Sequence, residues 1–128
     1  MERGEHALLR IADGVVVLDL TGEHDLATSG EIRTVLDALA ETSDLLVVDL
    51  TEATFVDSSL LESLVQAERT ATSNGARLRV QLGETPIVRT AFEVSGLLDH
   101  FEMCATREEA LDGFVDGNGS HAGTGRPP

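Results

Sequence analysis

Residues 45–64 read LLVVDLTEATFVDSSLLESL, and this stretch decides the fold. Residues 45–50 predict a buried strand of a parallel sheet, because strands covered on both faces are almost continuously apolar. Residues 51–56 predict a short crossing loop. The triplet Asp57-Ser58-Ser59 then predicts the first turn of a helix. A serine in that turn can cap the helix, act as a nucleophile or accept a phosphate, and the choice among these roles largely decides the function.

The other elements follow from apolar periodicity and turn signals. Apolar runs at residues 7–11 and 15–20, separated by Asp13-Gly14, predict an opening hairpin. Further strands are predicted at residues 78–82, where Arg79 and Gln81 alternate with apolar residues and indicate one buried face, and at 101–104. Four amphipathic helices are predicted, each with a start signal: Thr28 with Glu31, Ser59 with Glu62, Thr85 with Pro86, and Thr106 with Glu109.

The element order β, β, α, β, α, β, α, β, α predicts an α/β fold. Strands joined through helices lie parallel, so we expect a mixed, mostly parallel sheet of four to five strands with about four helices packed against it. Residues 1–116 are predicted to form a single domain. Residues 117–128 are rich in glycine and have no apolar period, so they are predicted to be a disordered tail.

Composition excludes several classes of function. The net charge of −14 disfavours binding to nucleic acid or anionic membranes and favours a protein partner with a basic docking face. All nine basic residues are arginine, which excludes Schiff-base chemistry and a Walker A lysine. No apolar run could span a bilayer, and the first residues do not show the basic and apolar regions of a signal peptide, so we do not expect secretion by a standard signal. With Cys104 as the single cysteine, these features predict a cytoplasmic protein.

No catalytic, metal or cofactor site is predicted. A serine hydrolase would need a base held beside Ser58 and a glycine-flanked elbow, and no glycine lies within two residues of Ser58. His24 with the adjacent Asp25 is a poor triad, and we expect His24 to be a solvated loop histidine. The histidines share no ligand spacing, and Cys104 is isolated.

Helix capping and phosphorylation remain as roles for the serines. Asp57, Ser58 or Ser59 could cap the helix by accepting hydrogen bonds from its first amides. Ser59 has Glu62 at capping-box spacing, which would leave Ser58 as the free hydroxyl. A phosphate on Ser58 would add about −1.5 to −2 charges at the amino end of a helix, where the dipole favours it by about 0.3–1 kcal/mol. The fold would therefore tolerate phosphorylation.

Four stretches of the chain, in order, resemble motifs of the STAS domain family, and within it the bacterial anti-sigma factor antagonists. The resemblance spans about residues 5–115. The stretches are Thr21-Gly22-Glu23-His24-Asp25, Val47 to Leu50 with Phe55-Val56-Asp57-Ser58-Ser59, Asn74-Gly75-Ala76-Arg77-Leu78, and Phe92-Glu93-Val94-Ser95-Gly96-Leu97 with Phe101 following. Each motif alone is weak, whereas the ordered set is specific.

The resemblance implies a partner switch in which this chain is not an enzyme and holds no cofactor. Unphosphorylated, such a protein binds an anti-sigma factor that is itself a kinase, which frees the sigma factor for transcription. Phosphorylation of the first serine of the motif, here Ser58, releases the complex until a phosphatase restores it. By the same resemblance the docking surface combines Gly22, Glu23, His24 and Asp25 with Asp57, Ser58, Ser59 and Leu60, and we expect a monomer or weak dimer.

One position departs from the family pattern. Glycine usually follows the two serines, and here the residue is Leu60. Leu60 either fills the space through which a partner's backbone approaches, and so tunes partner choice, or turns inward. The departure favours a rival interpretation, a STAS scaffold or transporter-associated subunit that is never phosphorylated.

Overall fold

The computed structural model describes residues 3–115, which form six strands and four helices. The strands are β1 (Glu5–Ala12), β2 (Val15–His24), β3 (Leu45–Asp49), β4 (Ala53–Val56), β5 (Arg77–Gln81) and β6 (Glu102–Cys104). The helices are α1 (Leu26–Thr42), α2 (Ser58–Ser73), α3 (Pro86–Val94) and α4 (Arg107–Leu111). The predicted tail at residues 117–128 lies outside the described residues.

The strands form one mixed sheet in the order β1-β2-β3-β5-β6, with β4 paired to β2 off this path. Strand β1 runs antiparallel to β2, and the other pairs are parallel. This arrangement confirms the predicted α/β class and its mostly parallel sheet. No helix within residues 3–115 is both long enough and apolar enough to cross a membrane.

Strand β4 was not predicted, and β2 is four residues longer than predicted. Residues 53–56 form a strand rather than a loop, and β2 continues through residues 21–24, which were predicted to be loop. Gly22 makes this possible, because it adopts φ +77° at an irregularity in the β2–β4 register. Its amide donates to the Glu52 carbonyl (3.2 Å), so the end of β2 pairs with β4 instead of fraying.

Two apolar cores cover the two faces of the sheet. The larger core packs α1, α2 and α3 against one face and contains Leu18, Leu36, Leu64, Val80 and Phe92 among its fully buried members. The smaller core packs α4 and the turn after it against the other face, with Phe114 at its centre. The faces differ because consecutive crossover helices stack on one side, whereas only the last helix reaches the other.

Strand β5 is buried on both faces, so the prediction of a single buried face is wrong. Arg79 and Gln81 are 7% and 6% exposed. Arg79 is tolerated there because its Nη1 donates to the carbonyls of Ala110 (3.0 Å) and Asp112 (2.7 Å). Its guanidinium also lies 5.4 Å from the centre of the Phe114 ring.

Two of the four predicted helix starts are confirmed, and two are wrong. Thr106 caps α4 by accepting from the Glu109 amide (3.1 Å), and Pro86 is the first residue of α3. Helix α1 is capped by Asp25 rather than Thr28, and α2 by Asp57 rather than Ser59. In both wrong cases an aspartate stands directly at the end of a strand, so the chain turns into the helix earlier than the capping-box spacing indicates.

Candidate functional site

The pairing of β2 with β4 brings two helix starts together at one edge of the sheet. Glu23 lies beside Phe55 and His24 beside Val56 in the register of these strands. The amide of Asp57 then donates to the His24 carbonyl (3.1 Å). The two loop motifs of the sequence, residues 22–25 and 57–60, are therefore neighbours in space. The carboxyl ends of parallel strands are where sites of α/β proteins usually lie.

Asp57 organises the start of α2. Its backbone is extended, and its Oδ1 accepts from the Leu60 amide at 3.2 Å. The Leu61 amide donates to the Asp57 carbonyl at 3.2 Å, which closes the first turn of the helix. Because the aspartate satisfies the amide that a serine cap would otherwise take, neither serine that follows is needed as a cap.

Ser58 is the first residue of α2, and its side chain is exposed. Among residues 3–115, no hydrogen bond involves the Ser58 hydroxyl, whereas the Ser59 carbonyl accepts from the Ser63 hydroxyl (3.0 Å). The prediction that Ser58 is free is thus confirmed, although the reason differs: Asp57 caps the helix and Ser59 does not. Ser59 is half-buried.

His24 is not the solvated loop histidine that was predicted. It is 1% exposed, its Nε2 lies 2.9 Å from the Thr21 carbonyl, and its Nδ1 lies 3.2 Å from the Thr28 hydroxyl. Gly4 packs against the ring so closely that a Cβ there would lie 2.7 Å from Cε1. Burial lowers the pKa of the His24 imidazole below its ordinary value of 6.5. The side chain connects the end of β2 to the first turn of α1 and is not part of the exposed surface.

The remaining predicted site residues divide by exposure. Asp25 is exposed and caps α1 by accepting from the Ala27 amide at 2.9 Å. Glu23 is half-buried, and Gly22 is buried. Leu60 is 2% exposed and belongs to the larger core, so its side chain turns inward. Leu60 therefore leaves the space in front of Ser58 open.

Two exposed apolar side chains at this edge were not predicted. Leu26, the first residue of α1, is 77% exposed, and Phe55 on β4 is 38% exposed. The sequence did carry a signal for strand β4, since Thr54, Phe55 and Val56 are residue types favoured in strands, but not for the exposure of Phe55. With Asp25, Asp57 and Ser58, these two apolar residues belong to the ends of β2 and β4 and the starts of the helices that follow, so this region carries both apolar and acidic side chains.

This geometry does not support hydrolysis or metal binding. His24 is committed to Thr21 and Thr28, so it cannot serve as a base for Ser58. Within the described residues, no group of three or more His, Cys, Asp or Glu side chains could hold a metal ion. What the site offers is an exposed hydroxyl at a helix start, set in a surface that a protein could cover.

The chain is similar to known STAS domains in sequence and in structure. The family model described as "STAS domain" matches residues 6–110. An anti-sigma factor antagonist from Mycobacterium paratuberculosis has a similar fold (TM-score 0.75, 24% identity, 85% of this chain and 92% of that one covered). The anti-sigma factor antagonist SpoIIAA in its unphosphorylated form is also similar (TM-score 0.71, 26% identity, 84% and 94% covered).

A third similar structure is the phosphorylated form of the Bacillus cell fate determinant SpoIIAA (TM-score 0.64, 25% identity, 84% and 97% covered). A sequence comparison with curated proteins finds no significant match.

Proposed function

This chain belongs to the STAS domain family, and from that membership we propose that it is an anti-sigma factor antagonist controlled by phosphorylation of Ser58. Unphosphorylated, it binds an anti-sigma factor that is also a kinase, and so releases a sigma factor for transcription. Phosphorylated on Ser58, it dissociates from that partner until a phosphatase removes the phosphate.

The observation that carries the proposal is the state of the Ser58 hydroxyl. It is exposed, it stands at the first position of α2, and it makes no hydrogen bond within residues 3–115. A kinase can therefore reach it without unfolding any part of the described chain. The similarity to SpoIIAA, which is known in an unphosphorylated and a phosphorylated form, supports the same role.

Phosphorylation would act on the partner's surface rather than on the fold. The phosphate would sit at a helix amino end, where the dipole stabilises negative charge. It would also add charge and bulk between the carboxylates of Asp57 and Glu62, the latter four residues along the same helix. A complex formed over this surface needs to lose only about 2.8 kcal/mol to weaken a hundredfold.

We propose a docking surface in which the exposed and half-buried residues of the predicted site contact the partner. Exposed Asp25 and Ser58, with half-buried Glu23, Asp57 and Ser59, supply its polar contacts. Gly22, His24 and Leu60 are buried and shape the surface from beneath. In this account the ATP and magnesium of the reaction belong to the kinase, so the chain carries no catalytic residue. Because Leu60 turns inward, the feature that favoured a never-phosphorylated scaffold no longer argues for it.

The test is binding by the anti-sigma factors of the same organism, measured by calorimetry. We expect one of them to bind the wild-type chain and the Ser58→Ala variant equally. Enzymatic phosphorylation of Ser58 should weaken binding about a hundredfold, and Ser58→Asp, with less charge, at least tenfold. Ser59→Ala is the matched control and should bind like the wild type. Equal binding by Ser58→Asp, or no binding by any anti-sigma factor, would contradict the proposal.

A further inference from the structure

A groove runs along α2 from the Ser58 position toward the end of α3. We name it the α2/α3 groove; it is a cavity of about 430 Å³ lined by Ser58, Leu61, Val65, Arg69, Ser95 and Leu97 among others. Ser58 is thus a wall residue of the groove as well as the hydroxyl of the proposed switch. A ligand that fills the groove would therefore lie next to Ser58.

The floor of the groove is apolar and firmly held. Leu61 is 6% exposed, and Val65 and Leu97 are half-buried and pack against the larger core. On the α3 side, Gly96 adopts φ +74° and turns the chain, and the Leu97 amide donates to the Phe92 carbonyl at 2.9 Å. The groove is therefore part of the folded scaffold and not a gap between mobile loops.

The charges around the groove indicate which kind of partner could bind there. Asp57 and Glu62 are negative at the Ser58 end, and Arg69 stands further along α2. A protein of net charge −14 repels a second copy of itself, which argues against self-association through this face. A kinase, in contrast, brings positive charge to the acceptor hydroxyl through basic side chains and the magnesium ions that hold ATP.

We propose that the α2/α3 groove receives an apolar anchor side chain of the anti-sigma factor kinase, on a segment whose positive end faces Ser58. This inference rests on the proposed function. Val65 lies seven residues beyond Ser58 on the same helix, about 10 Å along its axis. One partner segment can therefore occupy the groove while the kinase active site holds the hydroxyl. At protein interfaces a few buried anchor residues, most often aromatic side chains or arginine, supply most of the binding energy.

Substitution of Ser95 can test whether the partner occupies the groove. Its side chain is exposed and lines the groove, and its hydroxyl donates only to the Ala91 and Phe92 carbonyls (2.7 and 3.2 Å). Ser95→Arg fills the groove without touching the core, whereas Ser95→Ala leaves it open. Thr90→Arg places the same charge on an exposed position of α3 that does not line the groove, and it controls for charge alone.

The experiment measures the affinity of each variant for the anti-sigma factor kinase that binds the wild-type chain, and the kinetics of Ser58 phosphorylation. We expect Ser95→Arg to raise both Kd and KM at least tenfold, with kcat within about twofold of the wild-type value. Ser95→Ala and Thr90→Arg should match the wild type. Thermal unfolding of each variant verifies that it is folded.

The results separate the groove as an anchor site from the switch at Ser58. Binding of Ser95→Arg within twofold of both controls overturns the groove as an anchor site and leaves the switch at Ser58 standing. A lower kcat with unchanged KM also overturns it, because the groove would then position the hydroxyl without supplying affinity. Absence of binding by the wild-type chain itself overturns the proposed function, and the groove proposal with it.

Discussion

The amino ends of α1 and α2 have the same local structure, but their hydroxyl side chains differ in burial. Each follows a strand, each is capped by an aspartate, and the Asp57 amide links them by donating to the His24 carbonyl. At α1, the hydroxyl of Thr28 is buried and contacts His24; at α2, the hydroxyl of Ser58 is exposed. Thr28 is the third residue of α1, and Leu60, the third residue of α2, is buried as well, whereas the first residues, Leu26 and Ser58, are both exposed. The position of a hydroxyl within the first helical turn therefore decides whether it belongs to the scaffold or to the surface.

The largest effect is expected at the start of α1, where the buried His24 ring contacts Thr28. His24→Ala removes a packed ring and leaves the Thr21 carbonyl without its partner, so it should lower the free energy of unfolding by about 2–4 kcal/mol. Ser58→Ala should change it by less than about 0.5 kcal/mol, because that hydroxyl is exposed and makes no hydrogen bond in the described chain. Urea unfolding measures both. Similar costs for the two variants would mean that the contrast between the helix starts is wrong.

A smaller and symmetrical effect is expected at the two caps. Asp25→Ala and Asp57→Ala should each cost about 1 kcal/mol, since each removes the side-chain acceptor of one amide in the first turn. Asparagine at either position should restore most of the loss, because it caps nearly as well. The same unfolding measurement includes Ser59→Ala. If that variant costs as much as Asp57→Ala, then Ser59 shares in capping α2, and the assignment of Asp57 as the cap without help from Ser59 is wrong.

The smallest effect is a pH dependence of the unfolding free energy, which we expect from His24 at the start of α1 and which has no counterpart at the start of α2. Burial lowers the pKa of His24 in the folded state, so below about pH 6.5 the unfolded chain takes up the proton first. Stability should therefore fall as the pH drops from about 6.5 toward the lowered pKa of the folded state, and then level off for this group. The difference in unfolding free energy between wild type and His24→Gln, measured from pH 7.5 to 5, isolates the contribution. A difference that does not change with pH would contradict the burial argument.

The order of strands and helices was predictable because each element carries its own local signal. The apolar run of β3, the turn at Asp13-Gly14 and the glycine stop after α2 act within a few residues, and the structure follows them. Strand β4 was missed because it is only four residues long and its existence depends on pairing with β2. Burial of Arg79 was missed for a related reason, since its acceptors lie more than thirty residues away.

The candidate site was predictable in position but not in detail. The motif around Ser58 indicated the correct helix start, and the free hydroxyl was expected, although for the wrong reason. Burial of His24 depends on Gly4 and on the bulge at Gly22, and the inward turn of Leu60 depends on the core beneath α2. These are long-range packing outcomes, and local spacing does not encode them. The exposure of Leu26 and Phe55 is likewise a packing outcome that local spacing does not encode.

The most direct test of the account is to locate the phosphate by mass spectrometry after incubation with the anti-sigma factor kinase and ATP. We expect one phosphate per chain, carried by Ser58, at equal levels in wild type and Ser59→Ala and absent from Ser58→Ala. A Ser58→Ala chain that is still modified, or a wild-type chain that binds the kinase and stays unmodified, would contradict it.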